Sequence, residues 1–328
     1  MKEGMMMRIP EKLKRGDEIR VIAPSRSANI LSADGIELAK EQLERLGFKV
    51  TFGKHVFERD LQNSTSIQQR VEDLHDAFGD GNVKGILTVI GGFNSNELLP
   101  YMDYELIKQN PKVLCGYSDI TAIANAITTQ CGFVTYSGPH FSSFQMKEGQ
   151  DYQTQFFTQC LMQEEPFELK PSEQWSDDVW WRGDQGLRHF EKTVWKTYNA
   201  GAATGELWGG NLCTLNLLQG TKYMPAIGNA VLFIEDDEMT IPETFARDLT
   251  SLLQNAETIK ALIIGRFQRA SNMSEEQLLF ILDKHPMLKK IPVLYDVDFG
   301  HTQPMFTFPI GGEVQLDASK RVLKLLRF

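Results

Sequence analysis

GILTVIGG, at residues 85–92, is the stretch that decides the fold of this 328-residue chain. Its first six residues are mostly apolar or β-branched, and they run directly into two glycines. Such a run is typical of a buried strand in a parallel sheet, with a loop at the strand's carboxyl end. Residues 66–78, just before it, carry apolar side chains at helical spacing. A helix followed by a buried strand is the unit from which parallel sheets are built.

The same alternation continues on both sides of this unit. Pro24 and Ser25 stop the first strand, and Gly47 is a good C-cap residue for the first helix. The predicted strands are 18–23, 48–52, 85–90 and 112–115, and the predicted helices are 33–46, 66–78, 120–129 and 152–162. Residues 1–165 are therefore predicted to form a flavodoxin-like βα domain with a parallel sheet.

The C-terminal part, residues 204–328, alternates in the same way and then closes in short segments. Strands are predicted at 230–234, 259–264, 293–295, 306–308, 313–316 and 322–326, with helices at 242–254 and 274–284. This pattern predicts a second α/β domain with a mixed sheet.

Residues 166–203 between the two domains lack a clear period and contain Trp175, Trp180, Trp181 and Trp195. They are interpreted as a linker and a substrate-side loop. The alternative is that these tryptophans pack between the domains.

Composition and charge exclude several classes of protein. The net charge of -9 disfavours a nucleic acid polymer as partner, because that binding needs a concentrated basic surface. The apolar runs are far shorter than the ~20 residues that span a bilayer. The first twenty residues lack the apolar region of a signal peptide. The four cysteines are widely spaced, which is typical of reduced thiols. A cytoplasmic protein with no membrane partner is expected.

The first candidate for chemistry is Ser118, within GYSDIT at residues 116–121. A serine at a strand-to-helix junction exposes its hydroxyl next to helix N-terminal amides, which can face a developing oxyanion. The match to G-x-S-x-G is incomplete, because Ile120 replaces the second glycine. The alternative is that Ser118 only caps the following helix. Cys115 is a rival nucleophile, but its place at the end of an apolar strand favours a buried thiol.

The second candidate is the loop GGFNSN at residues 91–96, directly after the predicted strand. Two glycines allow the backbone to approach a ligand and to aim its N–H groups inward, as an oxyanion hole requires. The loop lacks the spacing of a phosphate-binding P-loop or of a dinucleotide fingerprint. A plain tight turn is the alternative.

The third candidate is a pair of side chains in the C-terminal domain. Glu235 follows a predicted strand, and His301 lies on a glycine-flanked loop after another. Enzymes with α/β folds place catalytic groups at such strand ends. The four acids at 235–238 could instead form a solvated turn or a metal site. Among the other histidines, which are expected at the surface or satisfied in the core, His140 follows a Gly-Pro pair and is the one to examine.

Six blocks of this sequence together resemble the L,D-carboxypeptidase and microcin C immunity family of serine peptidases. The blocks are IAPS at 22–25, IGGFNSN at 90–96 with LLP at 98–100, GYSDIT at 116–121, GGNL at 209–212, FIED at 233–236 and DFGH at 298–301. They run in family order over nearly the whole chain, and the ordered set is far more specific than any single block.

The resemblance implies hydrolysis of an amide bond through an acyl-enzyme. It gives Ser118 the role of nucleophile, His301 that of general base and then acid, and Glu235 that of orienting the imidazole. The main-chain N–H groups of Gly92 and Asp119 would form the oxyanion hole. The resemblance implies no metal or other cofactor, and it suggests a homodimer. Because the triad is split between the predicted domains, both domains should be needed for activity.

Within the family, the Asn94-Ser95-Asn96 version of the glycine loop and the tryptophan-bearing segment resemble the microcin immunity branch. That branch hydrolyses the amide that joins a peptide or amino acid carboxyl to a modified nucleotide. The resemblance therefore implies a small peptide or peptidyl-nucleotide substrate. Asn94 and Ser95 would contact it, and Trp180 or Trp181 would stack on its base.

Two other functions stay open on the sequence alone. A murein tetrapeptide L,D-carboxypeptidase of peptidoglycan recycling must hold a free carboxylate, and Arg26, Arg182 and Arg266 are candidates that the sequence does not separate. A non-catalytic small-ligand binding module would use the glycine loop to hold its ligand, with Ser118 as a helix cap. Acylation of Ser118 by a reactive probe separates these functions, because a capping serine has no base to activate it.

Overall fold

The computed structural model describes residues 7–179, 189–256 and 258–328. Its strands are β1 (Glu18–Ile22), β2 (Lys49–Phe52), β3 (Val83–Thr88), β4 (Val113–Gly116), β5 (Thr135–Ser137), β6 (Phe167–Leu169), β7 (Gln174–Trp175), β8 (Glu191–Lys192), β9 (Lys196–Asn199), β10 (Ala202–Asn211), β11 (Val231–Glu235), β12 (Ala261–Gly265), β13 (Val293–Val297), β14 (Phe308–Ile310), β15 (Glu313–Asp317) and β16 (Val322–Arg327). Its α-helices are α1 (Ala33–Arg45), α2 (Ile67–Gly79), α3 (Tyr104–Gln109), α4 (Thr121–Cys131), α5 (Gln150–Met162), α6 (Leu212–Asn216), α7 (Pro242–Gln254) and α8 (Glu275–Asp283).

The first sheet has the order β2-β1-β3-β4-β5-β14. All of its pairs are parallel except that of β14 with β5. The order 2-1-3-4-5 is that of flavodoxin-like folds, whose ligands bind at the carboxyl ends of the strands. The N-terminal part therefore has the predicted class of fold.

The second sheet has the order β6-β16-β15-β10-β11-β12-β13-β9. The strands β10 to β13 are parallel, and antiparallel pairs complete both sides. Every residue of β11 and β12 is buried, as expected for central parallel strands. This is the mixed α/β sheet that the sequence predicts.

The strand β10 is the main element that the sequence analysis did not predict. It contains Gly205, Gly209 and Gly210, and glycine weakens the pattern by which strands are recognised. At Gly209, with φ near 146°, a Cβ atom would overlap the carbonyl oxygen of Phe233 on β11. Glycine is therefore needed for the close approach of these two central strands.

Membership of the two sheets does not follow chain order. Residues 166–203, which the sequence analysis treats as a linker and loop, supply β6 and β9 to the second sheet and the β7–β8 ribbon. The strand β14 returns to the edge of the first sheet. The domain limits at 165 and 203 stay a prediction.

Across the described ranges, no helix combines the length and the apolar character needed to cross a membrane.

Candidate active site

Ser118 lies at the turn between β4 and α4, directly beyond the carboxyl end of its strand. Its φ of 59° is in the left-handed region, which is uncommon for residues other than glycine and recurs at active sites. An N-cap residue normally has an extended backbone. Ser118 makes no side-chain cap to α4, which begins after Ile120. Its backbone and contacts therefore differ from those of a capping serine.

A chain of hydrogen bonds joins Ser118, His301 and Glu235. The Nε2 atom of His301 lies 3.1 Å from the Oγ atom of Ser118, and Nδ1 lies 2.6 Å from Oε2 of Glu235. Glu235 ends β11 and is buried, whereas 18% of the His301 side chain is exposed. The three residues that the sequence analysis selected from separate segments are thus in contact.

Contacts between α4 and β10 hold the two sheets together at this point. The Oγ1 atom of Thr121 accepts a hydrogen bond from the main-chain N–H of Asn211 at 3.0 Å. Asn125 donates from Nδ2 to the Gly209 carbonyl at 2.9 Å. Because Asn211 pairs with Glu235 in the second sheet, these bonds set the start of α4 against the strand end that carries Glu235.

The loop of His301 is anchored by Asp298, a fully buried carboxylate. Asp298 accepts hydrogen bonds from Ser172 N at 2.9 Å, from Trp195 Nε1 at 2.8 Å and from Arg266 Nη1 at 3.0 Å. These partners come from three separate segments of the chain. Together they fix the start of the loop three residues before His301.

Asp119 ties the glycine loop to the turn of Ser118. Its carboxylate accepts hydrogen bonds from Ser25 Oγ at 2.5 Å and from the main-chain N–H groups of Asn94 and Ser95 at 3.1 and 2.9 Å. Ser95 Oγ donates in return to the Asp119 carbonyl at 2.6 Å. Ser25 has no role predicted from the sequence, although its position beyond the end of β1, a central parallel strand, is a usable signal.

The side chains of Asn94 and Ser95 are buried and hydrogen-bonded within the protein. Asn94 donates from Nδ2 to Ser64 Oγ at 3.0 Å, and Ser95 uses its hydroxyl on Asp119. In this structure the two side chains hold the loop in shape. Their direct contact with substrate stays a prediction.

Gly91 and Gly92 lie where a side chain would not fit. A Cβ atom at Gly91 would lie 2.9 Å from both Cβ and Oγ of Ser118, and 3.5 Å from the Asp119 nitrogen. At Gly92 the nearest atoms would belong to Ser25 and Arg26. The backbone of this loop therefore packs directly against the turn of Ser118. Its close approach to a ligand stays a prediction.

Acidic side chains dominate the electrostatics at His301. Burial disfavours the imidazolium, but the charge and hydrogen bond of Glu235, with Asp237 and Asp236 nearby, raise the pKa of His301 to about 9. Burial and the charge of Glu235 raise the pKa of Asp236 to about 7. The site is thus arranged to stabilise a positively charged imidazole.

The aromatic rings of Tyr117 and His140 lie beside the site, and neither residue has a role predicted from the sequence. The Tyr117 ring lies 4.3 Å from the His140 ring and 5.2 Å from the His301 ring, centroid to centroid. His140 is buried with Nδ1 2.8 Å from Thr88 Oγ1, and burial lowers its pKa well below the usual value. Cys115 is also buried, and burial raises the pKa of its thiol, so it is poorly suited to act as a nucleophile.

The structure describes two of the four tryptophans in residues 166–203. Trp180 and Trp181 lie outside the described residues. Trp195 is buried and packs beside Phe306. The ring centroid of Trp175 lies 4.8 Å from Arg266 Cζ and 4.7 Å from Arg269 Cζ. Over the described ranges, no group of three or more His, Cys, Asp and Glu side chains is placed to hold a metal ion.

Comparison with known proteins gives the family. Residues 19–138 match the model of the LD-carboxypeptidase N-terminal domain, and residues 204–316 match that of the LD-carboxypeptidase C-terminal domain. The Bacillus subtilis (strain 168) protein named "Putative carboxypeptidase YocD" is 50% identical over 309 residues, which are 94% of this chain and 95% of that protein.

Solved structures agree with this match. A MccF-like protein from Bacillus anthracis superposes with a TM-score of 0.95 at 49% identity, over 98% of this chain and 100% of that one. The microcin C7 self-immunity protein MccF of Escherichia coli is 31% identical over 94% of this chain and 93% of its own length. Its complex with aspartyl sulfamoyl adenosine superposes with a TM-score of 0.90 at 30% identity, over 97% and 98% of the two chains.

The chain belongs to the LD-carboxypeptidase family of serine peptidases, which includes MccF. This confirms the family that the six sequence blocks indicate. It also establishes the class of the protein as a serine-type carboxypeptidase or amide hydrolase.

Proposed function

We propose that this enzyme hydrolyses peptidyl- or aminoacyl-nucleotide amides, as expected of a microcin immunity-like peptidase, with Ser118 as nucleophile, His301 as base and Glu235 as the orienting carboxylate. The observation that carries the proposal is the continuous hydrogen-bond chain from Ser118 Oγ through His301 to Glu235. A neutral imidazole with Nδ1–H donated to Glu235 leaves Nε2 free to accept the proton of Ser118. That geometry is the requirement for an activated serine.

In the first half of the reaction, Ser118 Oγ attacks the amide carbonyl carbon while His301 Nε2 takes the hydroxyl proton. The resulting oxyanion receives hydrogen bonds from the main-chain N–H groups of Gly92 and Asp119. The imidazolium then gives its proton to the departing nitrogen, the C–N bond breaks, and the acyl group stays on Ser118 as an ester.

In the second half, His301 removes a proton from a water molecule that attacks the ester carbonyl. The second tetrahedral intermediate uses the same oxyanion hole. Its collapse returns the proton to Ser118 Oγ and releases the carboxylic acid. Glu235 holds the imidazole in one tautomer and stabilises its cationic form in both halves.

The choice of a nucleotide amide is supported by similarity over nearly the full chain to MccF, which has been crystallised with aspartyl sulfamoyl adenosine. Hydrolysis of such a compound breaks the bond between the aminoacyl carbon and the sulfamoyl nitrogen. Asn94 and Ser95 shape the loop that faces this bond, and Trp180 or Trp181 stacks on the base. A cytoplasmic location and a homodimer complete the proposal.

Mass spectrometry of a mixed-substrate incubation tests the proposed substrate. The purified enzyme is given L-aspartyl sulfamoyl adenosine and a murein tetrapeptide in one tube, beside a Ser118→Ala sample. We expect aspartate and sulfamoyl adenosine to be released by the native enzyme, with the tetrapeptide left intact. Ser118→Ala should release neither product.

Each other outcome has a distinct meaning. Release of D-alanine alone would make the protein a murein tetrapeptide carboxypeptidase and reject the nucleotide amide. Equal release by Ser118→Ala would reject the nucleophile. Stability of both compounds to the native enzyme would reject both candidate substrates.

The close packing of Gly91 on Ser118 gives a second prediction. Gly91→Ala places a methyl group 2.9 Å from Ser118 Oγ, so that the nucleophile or the loop must move. We expect kcat to fall about 100-fold, since displacements near 1 Å have effects of that size. Gly81→Ala is the matched control, because a Cβ atom there would meet no atom within 4 Å. Equal kcat for the two variants would contradict the proposed use of Ser118 and the glycine loop in the reaction.

A further inference from the structure

On the sequence alone, Arg26, Arg182 and Arg266 are equal candidates to bind a substrate carboxylate. The structure shows that Arg26 and Arg266 have different partners. Arg266 is buried, donates from Nη1 to Asp298 at 3.0 Å, and lies against the Trp175 ring. Its charge is therefore neutralised within the protein. Arg182 lies outside the described residues. Of the two arginines that the structure describes, Arg26 differs from Arg266 in its surroundings.

Among the described residues, Arg26 is held in place without an ion pair. Its Nε atom donates to the Gly91 carbonyl at 3.2 Å, and its main-chain N–H donates to the same oxygen at 3.4 Å. No salt bridge or hydrogen bond of Nη1 or Nη2 occurs within the part of the chain that the structure describes. The side chain is half-buried, and this burial lowers the pKa of Arg26. A guanidinium group that has lost part of its hydration and has no carboxylate partner gains from binding an anion.

The guanidinium group lies next to the catalytic turn. Gly91 separates Arg26 from Ser118: its carbonyl accepts from Arg26, and a Cβ atom on it would touch Ser118 Oγ. The charge of Asp119 favours the charged form of Arg26, and the charge of Arg26 disfavours a charge on His140. The Asp119 carboxylate accepts its three hydrogen bonds from Ser25 and from the main-chain amides of Asn94 and Ser95, and not from Arg26.

We propose that Arg26 binds a carboxylate of the substrate, one residue away from the amide bond that Ser118 attacks. The span fits, because neighbouring residues of a peptide are about 4 Å apart and one residue of the glycine loop separates Arg26 from Ser118. Arginine can bind a carboxylate through two parallel hydrogen bonds, which selects for direction as well as charge. The proposal rests on the proposed function of Ser118 as nucleophile.

Such a carboxylate can come from either side of the bond. It is the side chain of the acyl residue in an aspartyl nucleotide, and it is the free C-terminus of the leaving residue in a murein tetrapeptide. In both cases the enzyme prefers an anionic substrate to its neutral amide analogue, and the preference depends on Arg26.

Protection of Ser118 from a fluorophosphonate probe tests this preference without requiring turnover. Two matched pairs serve as protectants: L-aspartyl against L-asparaginyl sulfamoyl adenosine, and a tetrapeptide ending in D-alanine against the same peptide ending in D-alaninamide. We expect the native enzyme to prefer the acid in one pair by about 10- to 100-fold, the range of a hydrogen-bonded ionic contact. Arg26→Gln should reduce that preference below about threefold, with Ser118 still labelled.

Arg45→Gln is the matched control, because the Arg45 side chain is 66% exposed on α1 and forms an ion pair with Glu41. It should keep the native preference. The pair that shows the preference identifies the side of the bond that carries the carboxylate. Lack of a preference in both pairs, or its persistence in Arg26→Gln, would overturn the role of Arg26 while labelled Ser118 upholds the nucleophile. An unlabelled Ser118 in the native enzyme would overturn both.

Discussion

Replacing Ser118 by alanine is expected to lower kcat by a factor of about 10⁶ while leaving substrate affinity and thermal stability nearly unchanged. The reason is that the acyl-enzyme requires the hydroxyl oxygen, and neither His301 nor Glu235 can replace it. Within the described part of the chain, the Ser118 side chain bonds only to His301 Nε2. Its removal therefore leaves no other hydrogen bond unmade. Single-turnover kinetics and a thermal unfolding curve measure the two effects.

Ser32→Ala is a matched control that separates a nucleophile from a capping serine. Ser32 Oγ accepts from Gly35 N at 3.1 Å and caps α1. Its loss should lower the free energy of unfolding by about 1 kcal/mol with kcat unchanged. If Ser118→Ala instead lost stability and kept its activity, Ser118 would be a cap and the binding-module function would be favoured.

Glu235→Gln is expected to lower kcat by about 10⁴, the size seen when the carboxylate of a serine triad is made neutral. The amide preserves the shape of the side chain but no longer stabilises the imidazolium or fixes its tautomer. The backbones of Gly265 and Gly300 pack closely against the Glu235 side chain and hold it in place. A Cβ atom on either glycine would lie 2.8 Å from Glu235 Cβ. The loss is thus expected to be electrostatic, with little change in fold.

The same variant should shift the pH dependence of kcat/KM toward lower pH. His301 must be neutral to act as base, so activity rises as pH passes its pKa. Burial opposes the cation, but Glu235 and the neighbouring acids raise this pKa to about 9 in the native enzyme, which places the acidic limb there. Removing the charge of Glu235 removes the largest stabilising influence on the imidazolium. The acidic limb of the kcat/KM profile should therefore move to lower pH in Glu235→Gln.

Glu238→Gln controls for loss of a carboxylate from the same acidic run. Glu238 is exposed. Both the pH limb and kcat of this variant should match those of the native enzyme within experimental error. A native limb near the ordinary imidazole pKa of about 6.5, unmoved in Glu235→Gln, would contradict the assigned pairing.

Much of the fold follows from local patterns in the sequence. The helix predicted at 242–254 has these bounds in the structure, and the strand predicted at 230–234 is shifted by one residue. Periodicity of apolar residues, together with residues that stop strands and helices, is visible within a short window. The strand β10 is not predicted, because its three glycines interrupt the pattern of apolar residues by which a strand is recognised. In the structure it lies at the centre of a sheet.

The candidate site follows only in part from the sequence. Glu235 directly follows a predicted strand, and Ser118 and His301 lie on the segments after two others. That is why they could be selected, and the family blocks gave them roles. The anchoring of the His301 loop by Asp298 and the use of Asp119 to hold the glycine loop gave no local signal. Their hydrogen-bond partners are distant along the chain.

By itself, the sequence determined the α/β class, the order of most helices and strands, the family, and which residue types stand at strand ends. Only the tertiary structure decided that Ser118 meets a histidine 183 residues away, and that Arg266 is neutralised while Arg26 is not. The physical reason is that apolar periodicity reports burial one segment at a time. The partner of a polar side chain depends on which segments the packed core brings together.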